Sequence, residues 1–182
     1  MLCISVEEFL FWKKRQLSKG GDQQSFEVLL DCIGGISSRD LNLKSLNPNE
    51  DIHLKKNLEF LESVWDDHLL NSCPIQYLCG ITFWRDLKLT VTNKVLIPRP
   101  ETELIVDIVF NMFRKKSEKL FFAELGTGSG AISIALALAY PFSKGVATDI
   151  DQDALEIATK NYTNSSKPVS YTHLTLPTMD SV

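Results

Sequence analysis

One short stretch constrains the fold of this chain more than any other: the glycine-rich run at 126–130, Gly-Thr-Gly-Ser-Gly. It follows an apolar segment at 120–125 that predicts a buried strand. It precedes an apolar segment at 131–139 that predicts a buried helix. A second strand at 145–149 and a helix at 151–161 come next. The order strand, helix, strand, helix is typical of a parallel sheet, so we expect an α/β fold.

The glycine-rich run also predicts a ligand site. Glycines at alternate positions let the backbone turn sharply and approach a ligand closely. The run opens a helix, whose N-terminal N–H groups favour anionic or polar ligand atoms. An acid at the end of the second strand is placed to bind the two hydroxyls of a ribose. The candidate cofactor-binding residues are Glu124, Gly126, Thr127, Gly128, Ser129, Gly130 and Asp149.

Two cofactors fit this pattern. Gly126, Gly128 and Ala131 match the dinucleotide pattern G-x-G-x-x-[GA], which leaves a nicotinamide dehydrogenase open. Gly130 and Glu124 favour S-adenosylmethionine instead, because a carboxylate beside the loop opposes a pyrophosphate but suits an ammonium and a sulfonium. The simpler structural roles are helix–strand packing for Gly130 and an exposed strand end for Glu124. We expect S-adenosylmethionine.

Composition narrows the class of protein. The chain has 182 residues and a formal net charge of −4, without the basic face expected of a nucleic-acid binder. Its longest apolar run, about ten residues, is too short to span a membrane, which takes about 20. The cysteines lack metal-ligand spacing, so we expect no metal site and free thiols in a reducing cytoplasm. They are Cys3, Cys32, Cys73 and Cys79.

The N-terminal part predicts a small all-α domain at 1–73. Helices are expected at 5–17, 23–33 and 50–71, because apolar residues recur there at helical spacing. On the first of these helices, Leu10 is expected to face the core. The domain has an acidic exterior.

A change of pattern at Pro74 predicts a β-hairpin linker at 74–98. Short alternating segments at 81–83, 87–91 and 95–97 read as strands. Pro100 then suits the first turn of a new helix. That helix is expected to bury Leu104, Ile105, Ile108, Val109, Met112 and Phe113.

Three segments together resemble the HemK/PrmC family. They are Pro-Ile-Gln-Tyr-Leu-Cys-Gly at 74–80, Val-Leu-Ile-Pro-Arg-Pro-Glu-Thr-Glu at 95–103 and Glu-Leu-Gly-Thr-Gly-Ser-Gly-Ala at 124–131. The middle segment is the most specific, since many methyltransferases share the glycine loop. The resemblance covers about residues 5–165. It implies an S-adenosylmethionine-dependent methyltransferase that modifies the glutamine of the Gly-Gly-Gln motif in peptide chain release factors.

The resemblance also implies an architecture and residue roles. A substrate-recognition helical domain and a hairpin linker would precede an incomplete Rossmann-like methyltransferase domain at 99–168. The loop at 126–130 would wrap the cofactor, and Asp149 would hold its ribose. The segment Arg99-Pro100-Glu101 would close over the cofactor side of the pocket.

The family's catalytic motif, Asn-Pro-Pro-Tyr, does not occur in this sequence. In the family, its Asn side chain and a Pro carbonyl would accept hydrogen bonds from the substrate amide and orient its lone pair. We therefore assign no catalytic residue and expect the chain alone to be inactive. Residues 169–182 look foreign to the fold, so we expect a truncated chain that ends in a non-native or disordered tail.

Other functions remain open at this point. An adenine N6-methyltransferase that acts on nucleic acid would use the same Asn-Pro-Pro-Tyr motif to bind another planar amino group. A non-catalytic module that binds a release factor through its helical domain is a further alternative. We expect a cytoplasmic monomer that binds a release factor and binds neither nucleic acid nor membrane.

Overall fold

The computed structural model describes residues 2–47, 50–115 and 117–165. The chain divides into two compact units, Met1–Gly80 and Ile81–Val182, which are described separately below. The four-segment division expected from the sequence stays a prediction, and the proposed tail at 169–182 lies outside the described residues. No helix in the described part combines the length and apolar character needed to cross a membrane.

The first unit is not all-α, which corrects the expectation for 1–73. Its first and sixth elements pair as an antiparallel sheet, with Leu2 opposite Leu54 and Ser5 opposite Asp51. Ile52 and Leu54 are buried and their neighbours exposed, an alternation with the period of a strand. In chain order the elements are β1 Leu2–Ser5, α1 Val6–Ser18, α2 Gln23–Leu29, a π-helical turn Leu30–Gly34, α3 Ser38–Ser45, β2 Asp51–Leu54, α4 Leu58–Asn71 and α5 Ile75–Cys79.

Capping residues decide where the helices of this unit begin. The Ser5 hydroxyl accepts from the Glu8 N–H, and the Asn57 side chain accepts from the Phe60 N–H. The expected helix at 50–71 is therefore wrong in its first turns, because Asn57 caps a helix that starts at residue 58. Gly35 takes a left-handed conformation (φ 76°) and ends the second helical segment near its expected end.

The core of the first unit is built around aromatic rings. Phe9, Trp12, Phe26 and Trp65 are buried. The Phe26 and Trp65 rings meet edge to face, with their centroids 4.9 Å apart. Leu10 was expected in this core but is 37% exposed. Trp12 takes the buried position instead, so the helix is rotated relative to the predicted face.

The second unit contains the predicted alternation of strands and helices. β5 and β6 are parallel neighbours, with Phe121 opposite Lys144 and Leu125 opposite Thr148. β3 and β4 form an antiparallel hairpin. The elements are β3 Ile81–Trp84, β4 Leu87–Thr90, a 3₁₀ turn Pro100–Thr102, α6 Glu103–Met112, β5 Phe121–Leu125, α7 Ala131–Ala139, β6 Lys144–Thr148 and α8 Gln152–Asn164. The mixed α/β fold class is confirmed.

Two sequence expectations for this unit are wrong. Residues 95–97 do not form a strand, because the Val95 N–H closes a turn on the Thr92 carbonyl. The helix after Pro100 is regular only from Glu103, and its buried residue is Val106. Four residues expected in the core are instead well exposed: Leu104, Ile105, Ile108 and Met112. The helix is apolar on most sides, so periodicity could not identify the buried face.

Candidate cofactor site

The glycine loop joins the end of β5 to the start of α7. Gly126, Gly128 and Gly130 all have positive φ, at 74°, 53° and 81°. Side chains with a Cβ rarely adopt this conformation, so the alternation of glycines is a backbone requirement. The N–H groups of Gly126 and Thr127 both donate to the Thr148 carbonyl at the end of β6. The loop is thereby anchored to the neighbouring strand.

The three glycines differ in their surroundings. A Cβ added at Gly130 would lie 3.2 Å from both the Ala158 Cβ on α8 and the Ile134 Cδ1 on α7. A Cβ added at Gly126 or Gly128 would meet no atom within 4 Å. Gly130 therefore permits close helix packing, the simpler role considered for it. The other two glycines border open space that a ligand can occupy.

Asp149 lies at the end of β6, beside the loop. Its Oδ2 accepts from the Gly128 N–H at 2.8 Å, and its Oδ1 accepts from the Asp151 N–H at 3.1 Å. Each carboxylate oxygen has two lone pairs, so each can accept a further hydrogen bond. The sequence pattern groups Asp149 with the loop as candidate cofactor-binding residues. The structure brings the two into direct contact, and their role in binding stays a prediction.

Glu124, at the end of β5, is turned toward the start of α7. Its Oε2 accepts from the Thr127 hydroxyl at 2.8 Å, from the Ser133 N–H at 3.1 Å and from the Ser133 hydroxyl. Burial raises the pKa of Glu124, hydrogen bonds from Ser133 and Thr127 oppose that rise, and the charge of Asp149 adds to it. Glu124 is thus no freely exposed strand end, because it ties the loop to α7.

Sequence reasoning missed Asn161 on α8. Its side chain is 2% exposed and contacts both the loop and β4. Nδ2 donates to the Ser129 carbonyl and to the Thr90 carbonyl, both at 2.9 Å. One signal could have found it. Asn161 continues the i, i+4, i+7 spacing of the buried Ala154 and Ala158, and a polar residue on an apolar helix face needs internal partners.

The segment Arg99-Pro100-Glu101 is not brought to the loop by hydrogen bonds or ion pairs among the described residues. The Arg99 carbonyl accepts from the Trp84 indole N–H at 3.0 Å, which ties the segment to β3. Pro100 opens the 3₁₀ turn, and the side chains of Arg99 and Glu101 are exposed. The role expected for this segment in closing the pocket stays a prediction. No group of three potential metal ligands occurs among the residues described.

A parallel strand–loop–helix–strand unit, with alternating glycines after its first strand and an acid after its second, is typical of Rossmann-like α/β proteins that bind nucleotide cofactors. Comparison with known proteins identifies a narrower group within this class.

No family model matches the chain. A protein named release factor glutamine methyltransferase from Prochlorococcus marinus is 40% identical over 159 residues, which is 87% of this chain and 54% of the relative.

Further relatives carry the same name. The protein from Thermosynechococcus vestitus is 40% identical over 138 residues, 76% of this chain and 47% of its own length. The protein from Synechocystis sp. is 36% identical over 165 residues, 87% of this chain and 55% of its own length. These relatives confirm the resemblance to the HemK/PrmC family, whose curated members are named release factor glutamine methyltransferase. The chain spans about half the length of these curated relatives.

Proposed function

We propose that this chain carries the cofactor-binding part of an S-adenosylmethionine-dependent methyltransferase. The whole enzyme would methylate the glutamine side-chain amide in the Gly-Gly-Gln motif of peptide chain release factors. One observation carries the proposal: open space borders Gly126 and Gly128 beside Asp149, in a chain whose relatives are named for this reaction. When bound, S-adenosylmethionine supplies a methyl group on a positively charged sulfur.

The residues around the loop fit this cofactor. The open space at Gly126 and Gly128 allows a ligand to approach the backbone. The Asp149 oxygens already accept from the Gly128 and Asp151 N–H groups and retain lone pairs for the two ribose hydroxyls. Glu124 and Asp149 together make the site negative, which favours a ligand bearing an ammonium and a sulfonium.

The same loop is poorly suited to a pyrophosphate. A dinucleotide site presents backbone N–H groups at a helix N-terminus to the phosphates. Here the N–H groups of Gly126 and Thr127 are engaged by Thr148, that of Gly130 by Thr127, and that of Gly128 by Asp149. A pyrophosphate would also meet two carboxyl groups. The hydrogen bonding of the loop thus supports S-adenosylmethionine over a nicotinamide dinucleotide.

A pair of matched variants tests the assignment of Asp149. Asp149→Asn removes the charge and leaves only one oxygen, so we expect S-adenosylmethionine to bind about 10- to 100-fold more weakly. Asp151→Asn makes the same chemical change two residues away, where Asp151 caps α8 and Asn caps equally well. Its affinity should match that of the unchanged chain. Equal losses in both variants, measured by isothermal titration calorimetry, would refute the role of Asp149.

The chain alone is proposed to be catalytically inactive, because it lacks the Asn-Pro-Pro-Tyr motif of the family. The measurement is transfer of a radiolabelled methyl group to a purified release factor. The protein from Prochlorococcus marinus would serve as the positive control. Methylation by the 182-residue chain would contradict the proposed inactivity, while leaving the cofactor site intact.

We further propose that residues 1–73 recognise the release factor and that the protein works as a monomer in the cytoplasm. Support for the recognition role comes from the first unit, which has its own hydrophobic core and an acidic composition. A release factor immobilised on a surface should retain the 182-residue chain. Retention should survive Asp149→Asn, which leaves residues 1–73 unchanged. Loss of retention in that variant would place recognition elsewhere.

A further inference from the structure

Asn161 is a buried polar side chain that the proposed chemistry does not use. Its two amide hydrogens are donated to the carbonyls of Ser129 and Thr90, each at 2.9 Å. Its Oδ1 accepts from the Thr90 N–H at 2.6 Å. Both donor hydrogens and the acceptor oxygen are therefore satisfied inside the protein. One side chain joins the glycine loop to the last residue of β4.

The hydrogen bond from Asn161 to the Ser129 carbonyl fixes more than the position of that one oxygen. A peptide group is planar, so the Ser129 carbonyl and the Gly130 N–H point in directions fixed relative to each other. The Gly130 N–H closes the loop by donating to the Thr127 carbonyl at 2.9 Å. Ser129 also lies between two glycines with positive φ, which are the freest positions of the backbone. Holding its carbonyl therefore sets the shape of the loop.

The geometry points to Asn161 as a positioning residue: it holds the cofactor loop in its binding conformation and couples that loop to the β3–β4 hairpin. The identity of the ligand rests on the proposed function, whereas the effect of Asn161 on the shape of the loop does not. The two bonds to Thr90 satisfy the N–H and carbonyl of that residue, as a neighbouring strand would. Ordering of the loop therefore favours ordering of the end of β4, and ordering of the end of β4 favours ordering of the loop.

Two variants of Asn161 test the positioning role against a purely structural one. Asn161→Asp keeps an acceptor for Thr90 but places a second oxygen against the two carbonyls. Asn161→Leu removes all three hydrogen bonds at similar volume. Tyr140→Phe is the control, because it removes a buried hydroxyl that donates to the Phe113 carbonyl at 2.5 Å, away from the loop.

Calorimetric titration with S-adenosylmethionine should be done at a temperature where circular dichroism shows every variant folded. Both Asn161 variants should bind about tenfold more weakly or worse, which is the effect of one net hydrogen bond. Tyr140→Phe should bind like the unchanged chain even though its melting temperature falls. Unchanged affinity in both Asn161 variants, or an equal loss in Tyr140→Phe, would overturn the inference.

Hydrogen exchange of the unchanged chain without ligand supplies a test that needs no variant and no cofactor. If Asn161 couples the two segments, the Thr90 and Gly130 amides open together and exchange with the same free energy of opening. Exchange of Thr90 more than tenfold faster than that of Gly130, after correction for intrinsic rates, would overturn the coupling. Should S-adenosylmethionine fail to bind, the proposed function falls while this measurement still decides the role of Asn161.

Discussion

The two units of the chain differ in how well their strands are covered. In the first unit, Ile52 and Leu54 on β2 are fully buried in the core that also holds Trp65 and Phe26. In the second unit, Phe121 and Leu125 on β5 are 79% and 82% exposed. Yet the glycine loop of the second unit is held by contacts from Thr148, Glu124, Asp149 and Asn161. The loop's shape thus depends on nearby contacts and not on a covered β5.

The largest expected effect lies in the aromatic core of the first unit. Trp65→Ala should lower the free energy of unfolding of the first unit by about 4 kcal/mol, because it leaves a large cavity among aromatic rings. Urea titration followed by far-ultraviolet circular dichroism measures the change. A loss below about 1 kcal/mol would show that this core is loosely packed. The first unit would then bury its apolar residues no better than the second.

The next effect separates the glycines of the loop. Gly130→Ala should cost about 2–3 kcal/mol, because a positive φ is combined with contacts at 3.2 Å to Ala158 and Ile134. Gly126→Ala has the same backbone strain but open space, so it should cost about 1 kcal/mol. Equal losses of unfolding free energy would show that packing against α8 does not distinguish the two positions.

A smaller, pH-dependent effect is expected at Glu124. Its pKa is raised chiefly by burial, so the folded state keeps the proton to a higher pH than the unfolded chain, where a glutamate titrates at about 4.3. The contribution of Glu124 to stability is therefore greatest at acid pH and is lost as the pH rises through its raised pKa. Glu124→Gln keeps an acceptor oxygen for Ser133 and Thr127.

Relative to the unchanged chain, Glu124→Gln should accordingly gain unfolding free energy as the pH is raised from about 4 to 7. Thermal denaturation at a series of pH values measures the difference. A stability difference that is constant with pH would contradict the raised pKa. The same variant should bind S-adenosylmethionine more weakly if the carboxylate serves the charge of the cofactor.

The smallest effect is expected on the uncovered face of β5. Phe121→Ser should change the unfolding free energy by less than about 0.5 kcal/mol, because the ring is mostly exposed. Val106→Ala is the comparison, since Val106 is fully buried on α6 and its truncation should cost about 2 kcal/mol. A large loss in Phe121→Ser would show that β5 is covered in solution.

The sequence predicted those features that depend on local pattern. The alternation of strand and helix around residues 126–130 is confirmed by the geometry. A strand at 51–54 was missed because Leu54 also continues the helical spacing of Leu58, Leu61 and Trp65. The buried face of α6 was misassigned because Leu104, Val106 and Ile108 are all apolar. Asn161 was missed because its partners are distant in sequence.

We propose that the loop at 126–130 binds S-adenosylmethionine between its glycines and Asp149. Amide resonances of the ¹⁵N-labelled chain, recorded during titration with S-adenosylmethionine and separately with NAD, test it most directly. We expect saturable shifts with S-adenosylmethionine at Gly126, Gly128 and Asp149, and none there with NAD. Unchanged resonances at these residues, or stronger shifts with NAD, would contradict it.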